Sequence, residues 1–275
     1  MLTYETWQKN LVIVRGGGDI ATGTIFKLFQ CGFPVLVLEI ANPSCIRRTI
    51  SFCEAVFDDN VVVEGISACK VSSLEEAYAI YEKNAVPVMI DPRGTVIKEA
   101  NPAVVVDAIL AKKNLGTTMQ DAPIVIGLGP GFIAGKDVHA VIETQRGHDL
   151  GRVIYKGEAS PNTGIPGVIA GYGKERVIHA PCEGILHIEK QIGDEVQKGD
   201  IIATIDGVPV PATIPGIVRG MIREDYQVSQ GLKMADIDPR LAEKENCHRI
   251  SDKARCVAGG VLEAIMHLSM EKTEG

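Results

Sequence analysis

The feature that most constrains the fold is a strand, a glycine-rich turn and a helix that follow one another near the start of the chain. Residues 11–14 (Leu-Val-Ile-Val) form an apolar run, residues 16–18 are all glycine, and residues 20–29 carry apolar side chains at helical spacing. A second apolar run, residues 34–39, ends in Glu39. Two strands joined by a helix make a βαβ unit, which predicts a parallel sheet.

The alternation of helix and strand continues through the first half of the chain. The sequence predicts a helix over residues 74–84, a strand over 86–90, a helix over 103–113 and a strand over 124–126. After residue 127 the pattern changes to short β segments separated by Gly and Pro. The predicted fold is therefore α/β, with a Rossmann-like parallel-sheet domain followed by a β-rich domain.

The second half contains an internal repeat without gaps, at an offset of about 32 residues. The matching pairs are Gly184-Ile185 with Gly216-Ile217, Val196 with Val228, Gly199 with Gly231, and Ile205-Asp206 with Ile237-Asp238. Repeats this short seldom bury enough apolar surface alone. We therefore expect two similar β units that pack together.

The first copy of the repeat resembles the first half of a biotinyl/lipoyl carrier domain. The likeness is carried by residues 180–186 (Ala-Pro-Cys-Glu-Gly-Ile-Leu) and 192–200 (Ile-Gly-Asp-Glu-Val-Gln-Lys-Gly-Asp). The resemblance implies a hairpin that presents a modified lysine, but Pro209 stands at about that position. Because attachment needs the lysine amine, we expect no covalent biotin or lipoate. The module is expected to be a β scaffold or to carry a site for a ligand or partner.

These patterns divide the chain into four parts. We predict a Rossmann-like nucleotide-binding domain over residues 1–118, a β-rich linking region over 119–178, a biotinyl/lipoyl-like β domain over 179–240 and a C-terminal helical segment over 241–275. Residues 251–270 carry apolar side chains at helical spacing. Such a helix needs a partner surface, and we expect it to pack on the first domain.

The glycine-rich turn has the spacing Gly-x-Gly-x-x-Ala of a dinucleotide-binding turn. Gly16, Gly17 and Gly18 lie between the predicted strand and helix, where backbone N–H groups hold phosphate and a Cβ would block its approach. Asp19 begins the helix, and Glu39 ends the second strand, where an acid accepts hydrogen bonds from a ribose. Two interpretations stay open: a nucleotide site, or a tight turn with Asp19 as a helix cap.

Two further segments offer groups for an anionic ligand. Arg47, one of two adjacent arginines, is suited to bidentate contacts with phosphate or carboxylate, although a solvated surface pair fits equally well. A second glycine-rich loop contains Gly127, Gly129 and Gly131. Because a strand is predicted after it, this loop has no helix dipole, and a plain loop is the alternative.

Five titratable side chains lie in polar turns or close to predicted strands and are the candidates for acid–base chemistry. They are Asp91, Lys136, His139, Glu143 and His148. For Asp91 the alternative is a turn begun by Asp-Pro, and for Lys136 and His139 it is a plain loop. The Cys and His residues show no repeating metal-ligand spacing, so no metal site is predicted.

Composition excludes several classes of partner. The formal net charge of −7 gives no attraction toward nucleic acid. No stretch approaches the roughly 18 to 20 apolar residues that a membrane span needs. We therefore expect a cytoplasmic protein whose cysteines are reduced thiols.

Several motifs, taken in order, resemble those of the YqeB-type selenium-dependent molybdenum hydroxylase system proteins. They are Arg15-Gly16-Gly17-Gly18-Asp19, Arg47-Arg48-Thr49, residues 127–132 (Gly-Leu-Gly-Pro-Gly-Phe), residues 142–144 with 146–148, and residues 162–167 (Asn-Thr-Gly-Ile-Pro-Gly). The resemblance covers nearly the whole chain. It implies a bacterial accessory protein in the maturation of selenium-containing molybdenum hydroxylases, and it assigns no catalytic residue.

Three functions follow as expectations. The first is an accessory protein that binds a nucleotide or nucleotide-bearing cofactor, NAD(P) or a nucleotide form of molybdopterin, and docks on the molybdenum hydroxylase apoenzyme or another maturation factor. The second is a nucleotide-dependent oxidoreductase or transferase that acts on the cofactor, so whether the chain is an enzyme stays open. The third is an assembly scaffold without a ligand. The sequence leaves the oligomeric state open.

Overall fold

The chain is shared between two units, each assembled from separate stretches of sequence. The computed structural model describes residues 2–164 and 167–271, so Ile165 and Pro166 of the predicted 162–167 motif lie outside the described residues. Unit 1 comprises Met1–Pro43, Ser51–Asn162 and Ile250–Gly275, and unit 2 comprises Ser44–Ile50 and Thr163–Arg249. The predicted linking region over 119–178 is divided between the two units.

Unit 1 contains a nine-stranded, mainly parallel sheet and a small two-stranded one. The strands are β1 (Val12–Arg15), β2 (Val35–Glu39), β3 (Asn60–Val63), β4 (Ile66–Val71), β5 (Val86–Ile90), β6 (Val104–Asp107), β7 (Ile124–Leu128), β8 (Ile133–Ala134), β9 (Ala140–Ile142), β10 (Val153–Ile154) and β11 (Gly157–Glu158). The large sheet has the order β10-β9-β7-β6-β1-β2-β5-β4-β3, and β8 pairs with β11. Only its two edge strands, β3 and β10, run antiparallel to their neighbours.

The order of the central strands places a topological switch in the middle of the sheet. From β5 through β2, β1, β6 and β7 to β9, all neighbours are parallel. In chain order these strands are arranged 3-2-1-4-5-6, an order in which ligands bind beyond the carboxyl ends of the strands, at the switch between the first and fourth. Here the switch lies between β1 and β6, directly after Arg15 and Asp107.

Among the described residues, six segments form α-helices. They are α1 (Tyr4–Lys9), α2 (Asp19–Gln30), α3 (Ala55–Asp58), α4 (Leu74–Glu82), α5 (Val96–Ala100) and α6 (Asp252–Glu271). α2 and α4 form where helical spacing predicts them; Ser73 caps α4 by accepting a hydrogen bond from the Glu76 N–H at 3.2 Å. Within the described ranges, no helix has the length and apolar character needed to cross a bilayer.

α6 packs on α2 and on β7, β9 and β10. Small residues permit the close approach of the two helices. A Cβ on Gly23 of α2 would lie 2.7 Å from backbone and side-chain atoms of Ala254. The final helix is therefore part of unit 1, although most of unit 2 precedes it in sequence.

The predicted helix over residues 103–113 is wrong. Val104–Asp107 form β6, which is buried along its whole length and pairs in parallel with β1 and β7. The following residues, 108–123, form bends and turns. A run of β-branched valines favours a strand between two others, and a short apolar run does not distinguish strand from helix by periodicity alone.

Unit 2 contains two four-stranded antiparallel sheets. Its strands are β12 (Val177–His179), β13 (Gly184–Ile188), β14 (Glu195–Val196), β15 (Ile201–Ile205), β16 (Val208–Pro211), β17 (Gly216–Met221), β18 (Gln227–Val228) and β19 (Lys233–Asp238). The sheets have the orders β12-β19-β17-β14 and β16-β15-β13-β18. Buried aliphatic side chains from both sheets, including Leu186, Ile202, Val218 and Ile237, form one core.

The internal repeat appears as two interlocked copies. β13, β14 and β15 of the first copy correspond to β17, β18 and β19 of the second. Each copy gives its short middle strand to the other, because β13 pairs with β18 and β17 pairs with β14. Neither copy completes a sheet alone, which is why two copies are needed for one core.

The segment containing Arg47 belongs to unit 2. Arg47 is buried, and its Nη2 donates to the carbonyl oxygens of Asn246 at 2.8 Å and Arg249 at 3.1 Å. Arg48 Nε donates to the Met221 carbonyl at 2.8 Å. The two arginines thus hold residues 44–50 against the 3₁₀ helix Leu241–His248 and against β17, a structural role that the sequence did not predict.

No disulfide joins any of the seven cysteines, all of which lie within the described residues. Cys53 and Cys247 are buried. Burial raises the pKa of the Cys247 thiol, against the opposing effect of the Arg47 charge. A buried thiol with a raised pKa behaves as a small apolar group and not as a nucleophile.

Candidate functional site

Many of the predicted site residues lie at one edge of unit 1, where the parallel strands end. The glycine-rich turn follows β1, Glu39 ends β2, Asp91 follows β5, the second glycine loop follows β7, and Glu143 follows β9. The carboxyl ends of parallel strands form a common edge, which brings these segments to the same side of the sheet. We call this side the carboxyl edge.

The first two glycines of the turn are packed closely by the chain itself. Gly16 has a φ of +94°, and a Cβ there would lie 3.1 Å from the Ala108 carbonyl oxygen. A Cβ on Gly17 would lie 2.9 Å from the Cys53 backbone nitrogen, whose N–H donates to the Gly17 carbonyl. Gly18 is the N-cap of α2. Glycine is required at 16 and 17 by internal packing, and the first turn of α2 supplies the N–H groups that lack helical acceptors.

Glu39 organises this turn. Its Oε2 accepts a hydrogen bond from the Gly17 N–H at 2.8 Å, and its Oε1 accepts one from the Ile40 N–H at 2.8 Å. Burial raises the pKa of Glu39, although the two N–H donors oppose the shift. The carboxyl group predicted to meet a ribose is thus engaged by the glycine turn.

Three exposed isoleucines border the turn. Ile40 follows Glu39, Ile90 lies opposite Glu39 in the β2–β5 register, and the Ile109 Cα would lie 3.2 Å from a Cβ on Gly16. Their exposed fractions are 45%, 40% and 36%, which is high for residues that end or follow buried strands. The three side chains form an apolar border suited to packing against a flat aromatic ring.

A lysine lies on α6 next to Ala254, which packs against Gly23 of α2. Lys253, in the first turn of α6, is half-buried, and its charge interacts with those of Asp19 and Glu143. Burial lowers the pKa of Lys253, Arg146 lowers it further, and the two carboxylates together with Asp252 oppose the shift. Lys253 has no local sequence signal, because only the packing of α6 on α2 brings it toward the turn.

Glu143 fixes the loop after β9. Its Oε1 accepts hydrogen bonds from the N–H groups of Thr144 and Gln145, both at 2.7 Å, and its Oε2 accepts one from the Ser160 N–H at 2.8 Å. Burial favours protonation, but these donors outweigh it and lower the pKa of Glu143. An anionic carboxylate with three donors is a poor proton acceptor, so Glu143 positions the loop.

At the switch point, Arg15 ends β1 opposite Asp107 of β6. The Arg15 Nη1 lies 3.5 Å from Asp107 Oδ2 and also donates to Thr117 Oγ1, which in turn donates to the same Asp107 oxygen at 2.6 Å. All three residues are buried. In the part of the chain that the structure describes, Arg15 Nε and Nη2 have no hydrogen-bond partner. Two nitrogens of the Arg15 guanidinium are therefore available to donate hydrogen bonds to a ligand.

Asp91 lies beside an open cavity of about 630 Å³ at the ends of β4 and β5. Polar side chains from Lys70, Ser72, Asp91, Arg93, Thr95 and Glu99 contribute to its lining. Asp91 Oδ2 accepts from the Val96 N–H at 2.8 Å, and Oδ1 accepts from Thr95 Oγ1 at 3.0 Å. Although burial opposes it, these donors lower the pKa of Asp91. Asp91 caps α5, while the cavity has the size of a ligand pocket.

The second glycine loop is closely packed. A Cβ on Gly127 would lie 2.5 Å from the Phe132 ring, one on Gly129 would lie 2.6 Å from Thr144 Oγ1, and one on Gly131 would lie 2.7 Å from the Lys113 backbone. These contacts explain each glycine by packing.

Of the remaining acid–base candidates, Lys136 and His139 lie away from the carboxyl edge, whereas His148 stays on its side. His139 precedes the first residue of β9, and its Nδ1 accepts a hydrogen bond from the Val125 N–H at 3.0 Å, near the start of β7. Lys136 is exposed in the turn before it. His148 is exposed in the turn that follows Glu143. The chain reverses after the second glycine loop, which carries Lys136 and His139 to the opposite edge.

The fold and this edge define a mixed α/β protein with a large parallel-rich sheet, antiparallel sheets, and charged groups spread along the carboxyl edge of the large sheet. No family model matches the sequence. The chain is 50% identical over 258 residues, 94% of its length, to "Uncharacterized protein YqeB" of Escherichia coli (strain K12). This likeness supports a YqeB-type protein. The chain spans about half, 48%, of that relative.

Some solved structures resemble the chain distantly. An aspartoacylase family protein from Mesorhizobium loti is 14% identical with a TM-score of 0.30, and the match covers 84% of this chain and 86% of that one. A succinylglutamate desuccinylase from Silicibacter sp. TM1040 is 11% identical with a TM-score of 0.25, covering 83% and 84%. TM-scores this low do not establish a shared fold.

Proposed function

We propose that the carboxyl edge of unit 1 binds a phosphate-bearing, nucleotide-type ligand, and that the chain is an accessory protein in the maturation of selenium-dependent molybdenum hydroxylases. The observation that carries the ligand proposal is Lys253, a half-buried cation on α6 whose neighbour Ala254 packs against Gly23 of α2. Helix N-termini favour anions, and a nearby lysine adds a charge that is only partly hydrated.

Three neighbouring features support a nucleotide over a simple anion. The strand order has its switch between β1 and β6, where Rossmann-like sheets bind dinucleotides. The exposed isoleucines beside the turn suit a heteroaromatic ring, and Arg15 holds unused guanidinium donors at the switch. The candidates are NAD(P) and a nucleotide form of molybdopterin. The N–H groups of the α2 first turn and Lys253 would hold the phosphate.

The maturation role rests on the resemblance of the motifs and is the part of the proposal that needs a partner. Unit 2, whose interlocked repeat resembles a biotinyl/lipoyl module without the lysine, would then be the part that docks on the hydroxylase apoenzyme or another maturation factor. The exposed hairpin between β15 and β16, with Val208 44% exposed, offers an apolar contact for this purpose.

A scaffold without a ligand is the second candidate, and one observation favours it. Gly16 packs closely against Ala108 and Gly17 packs closely against Cys53, so packing alone accounts for both glycines. The enzyme alternative has less support, because the five acid–base candidates do not assemble. Glu143 and Asp91 are engaged by N–H donors, Lys136 and His139 lie at the opposite edge, and His148 is exposed in the turn after Glu143.

Calorimetric titration of the full chain with NAD⁺, NADP⁺, CTP and molybdopterin cytosine dinucleotide tests the ligand proposal. We expect one of these to bind, and Lys253→Ala to weaken binding by about 10- to 100-fold, the size of a lost charge-assisted contact. Lys136→Ala, an exposed lysine at the other edge, is the matched control and should bind normally. Absence of binding by all four compounds, or equal binding by both variants, would reject the site.

The docking proposal is tested separately. Tagged full-length protein is recovered from cells that express the hydroxylase, and co-purification of the apoenzyme is measured with and without a change in the β15–β16 hairpin, Val208→Asp. We expect the apoenzyme to co-purify and the variant to reduce its recovery. Ligand binding without co-purification would retain the ligand site and reject the maturation role.

A further inference from the structure

We infer that unit 2 carries a site for a divalent transition metal, with Zn²⁺ as the best match, formed by His187, Glu224 and Asp225. His187 is on β13, and the two acids are in the turn between β17 and β18. The candidate ligand atoms, one from each side chain, all lie within 4.8 Å of one another. This inference does not depend on the proposed function of unit 1.

The distances from the imidazole agree with those between ligands of one metal ion. His187 Nδ1 lies 3.0 Å from Glu224 Oε1 and 3.5 Å from Asp225 Oδ1. Zn²⁺ binds His nitrogen and carboxylate oxygen at about 2.0–2.2 Å in tetrahedral sites, so two ligand atoms of such a site are about 3.3–3.6 Å apart. The side chains need only small movements to accept an ion between them.

The backbone on both sides of the cluster holds the donors in place. Glu224 Oε2 accepts a hydrogen bond from the Ile188 N–H at 2.6 Å, which leaves Oε1 facing His187. The Asp225 N–H donates to the Leu186 carbonyl at 2.9 Å, and the Leu186 N–H donates to the Tyr226 carbonyl at 3.1 Å. Contacts of this kind, outside the ligand set, orient metal ligands and support affinity.

The donor set selects the kind of ion. One imidazole nitrogen with two carboxylate oxygens suits Zn²⁺ and related first-row ions, whereas Mg²⁺ and Ca²⁺ take oxygen ligands. The two carboxylates neutralise a divalent ion. All three residues are exposed, so a fourth position stays open to water or to a side chain from a partner.

An ion here would join the two copies of the repeat. His187 lies in the first copy, and Glu224 and Asp225 lie in the second, beside the β13–β18 pairing that links them. Binding to the folded state alone stabilises a protein by mass action. Metal should therefore raise the thermal stability of unit 2 as well as bind.

Titration of the metal-stripped full chain with Co²⁺, followed by visible absorption, and with Zn²⁺, followed by calorimetry, tests the inference. We expect binding of one ion, an absorption band typical of four-coordinate Co²⁺, and a higher Tm with Zn²⁺. His187→Ala should weaken Zn²⁺ binding at this site by more than about tenfold and abolish the gain in Tm. His179→Ala, which removes another exposed histidine of unit 2, is the control and should behave as the unchanged protein.

Glu224→Gln provides a second variant, because the glutamine oxygen can still accept from the Ile188 N–H while the carboxylate charge is lost. It should also weaken Zn²⁺ binding. Absence of metal binding by the unchanged protein would overturn the inference. So would binding that survives His187→Ala, because the ion would then be held elsewhere.

Discussion

Two buried arginines, one in each unit, are equally exposed to solvent but differ in how many of their guanidinium nitrogens donate hydrogen bonds to the protein. Arg176 of unit 2 and Arg15 of unit 1 are both 4% exposed. Arg176 uses its whole guanidinium: Nε donates to the Ile237 carbonyl at 3.2 Å, Nη1 donates to the Gly167 carbonyl at 3.1 Å, and Nη2 donates to both Asp236 oxygens at 3.0 and 3.2 Å. Arg15 uses Nη1 alone among the described residues.

The difference separates a structural charge from one that can serve a ligand. A buried charge is tolerated when its hydrogen bonds are satisfied, and Arg176 meets that condition within unit 2. Arg15 has no protein partner for Nε and Nη2 in the described part of unit 1, and these two nitrogens are not fully buried. They are therefore accessible at the point where ligands bind to sheets of this order. The exposed fraction alone does not distinguish the two arginines, since it is the same for both.

The largest effect should come from Arg176→Met. The substitution leaves the buried Asp236 with Arg219 as its remaining cation, at 2.9 Å, and leaves two carbonyl groups without their donors. Removing one partner of a buried pair typically costs about 3–5 kcal/mol. Urea unfolding should show this loss of unfolding free energy. Arg255→Ala, which removes an exposed arginine from its ion pair with Glu64, should cost only about 1 kcal/mol or less.

Arg15→Met should destabilise the fold less than Arg176→Met does, and it should also weaken ligand binding. Asp107 keeps the Thr117 hydroxyl at 2.6 Å and the Ile109 N–H at 3.2 Å, so its carboxylate remains hydrogen-bonded. We expect a loss of about 1–3 kcal/mol in unfolding free energy and a loss of about tenfold or more in affinity for the nucleotide that binds the unchanged protein. Unfolding is followed with urea and affinity by calorimetry.

The comparison between the arginines fails if Arg15→Met loses as much stability as Arg176→Met and retains full affinity. Arg15 would then be a structural residue, and its free donors would have no function at the switch. Thr117→Val sharpens the result, because it removes the hydroxyl that links Arg15 to Asp107 without changing the arginine.

Sequence patterns predicted the elements whose periodicity is local. The strand, turn and helix around Gly16, helix α4 and helix α6 lie where apolar spacing places them. The helix over 103–113 was wrong, because the parallel pairing of β6 with β1 and β7 decided the structure of Val104–Asp107. The repeat predicted two packed β units, but the exchange of β14 and β18 depends on pairing between distant residues and has no local signal.

The site was predicted less well than the fold. Gly16–Asp19, Glu39, Asp91 and Glu143 do lie at the carboxyl edge, since residues after parallel strands must do so. Which of them is available to a ligand depends on partners far away in sequence. Gly17 holds the Glu39 carboxylate, and Ser160 holds that of Glu143. Lys253 enters the site only because α6 returns to α2 after unit 2.

The smallest expected effect is a change in the pH dependence of ligand affinity in Lys253→Arg. Burial lowers the pKa of Lys253 below that of an ordinary lysine, so as pH rises its positive charge is lost before the charges of exposed lysines. Affinity for a phosphate-bearing ligand should therefore be greatest below this lowered pKa and fall as pH rises through it. Protein stability should change in the opposite sense, because the unfavourable burial of the charge disappears as Lys253 becomes neutral.

Arginine stays charged over this range, so the variant should bind with a flat profile in calorimetric titrations at increasing pH. A profile that falls equally in Lys253→Arg and the unchanged protein would assign the titration to another group and leave Arg15, whose charge does not titrate, as the cation that distinguishes unit 1 from unit 2.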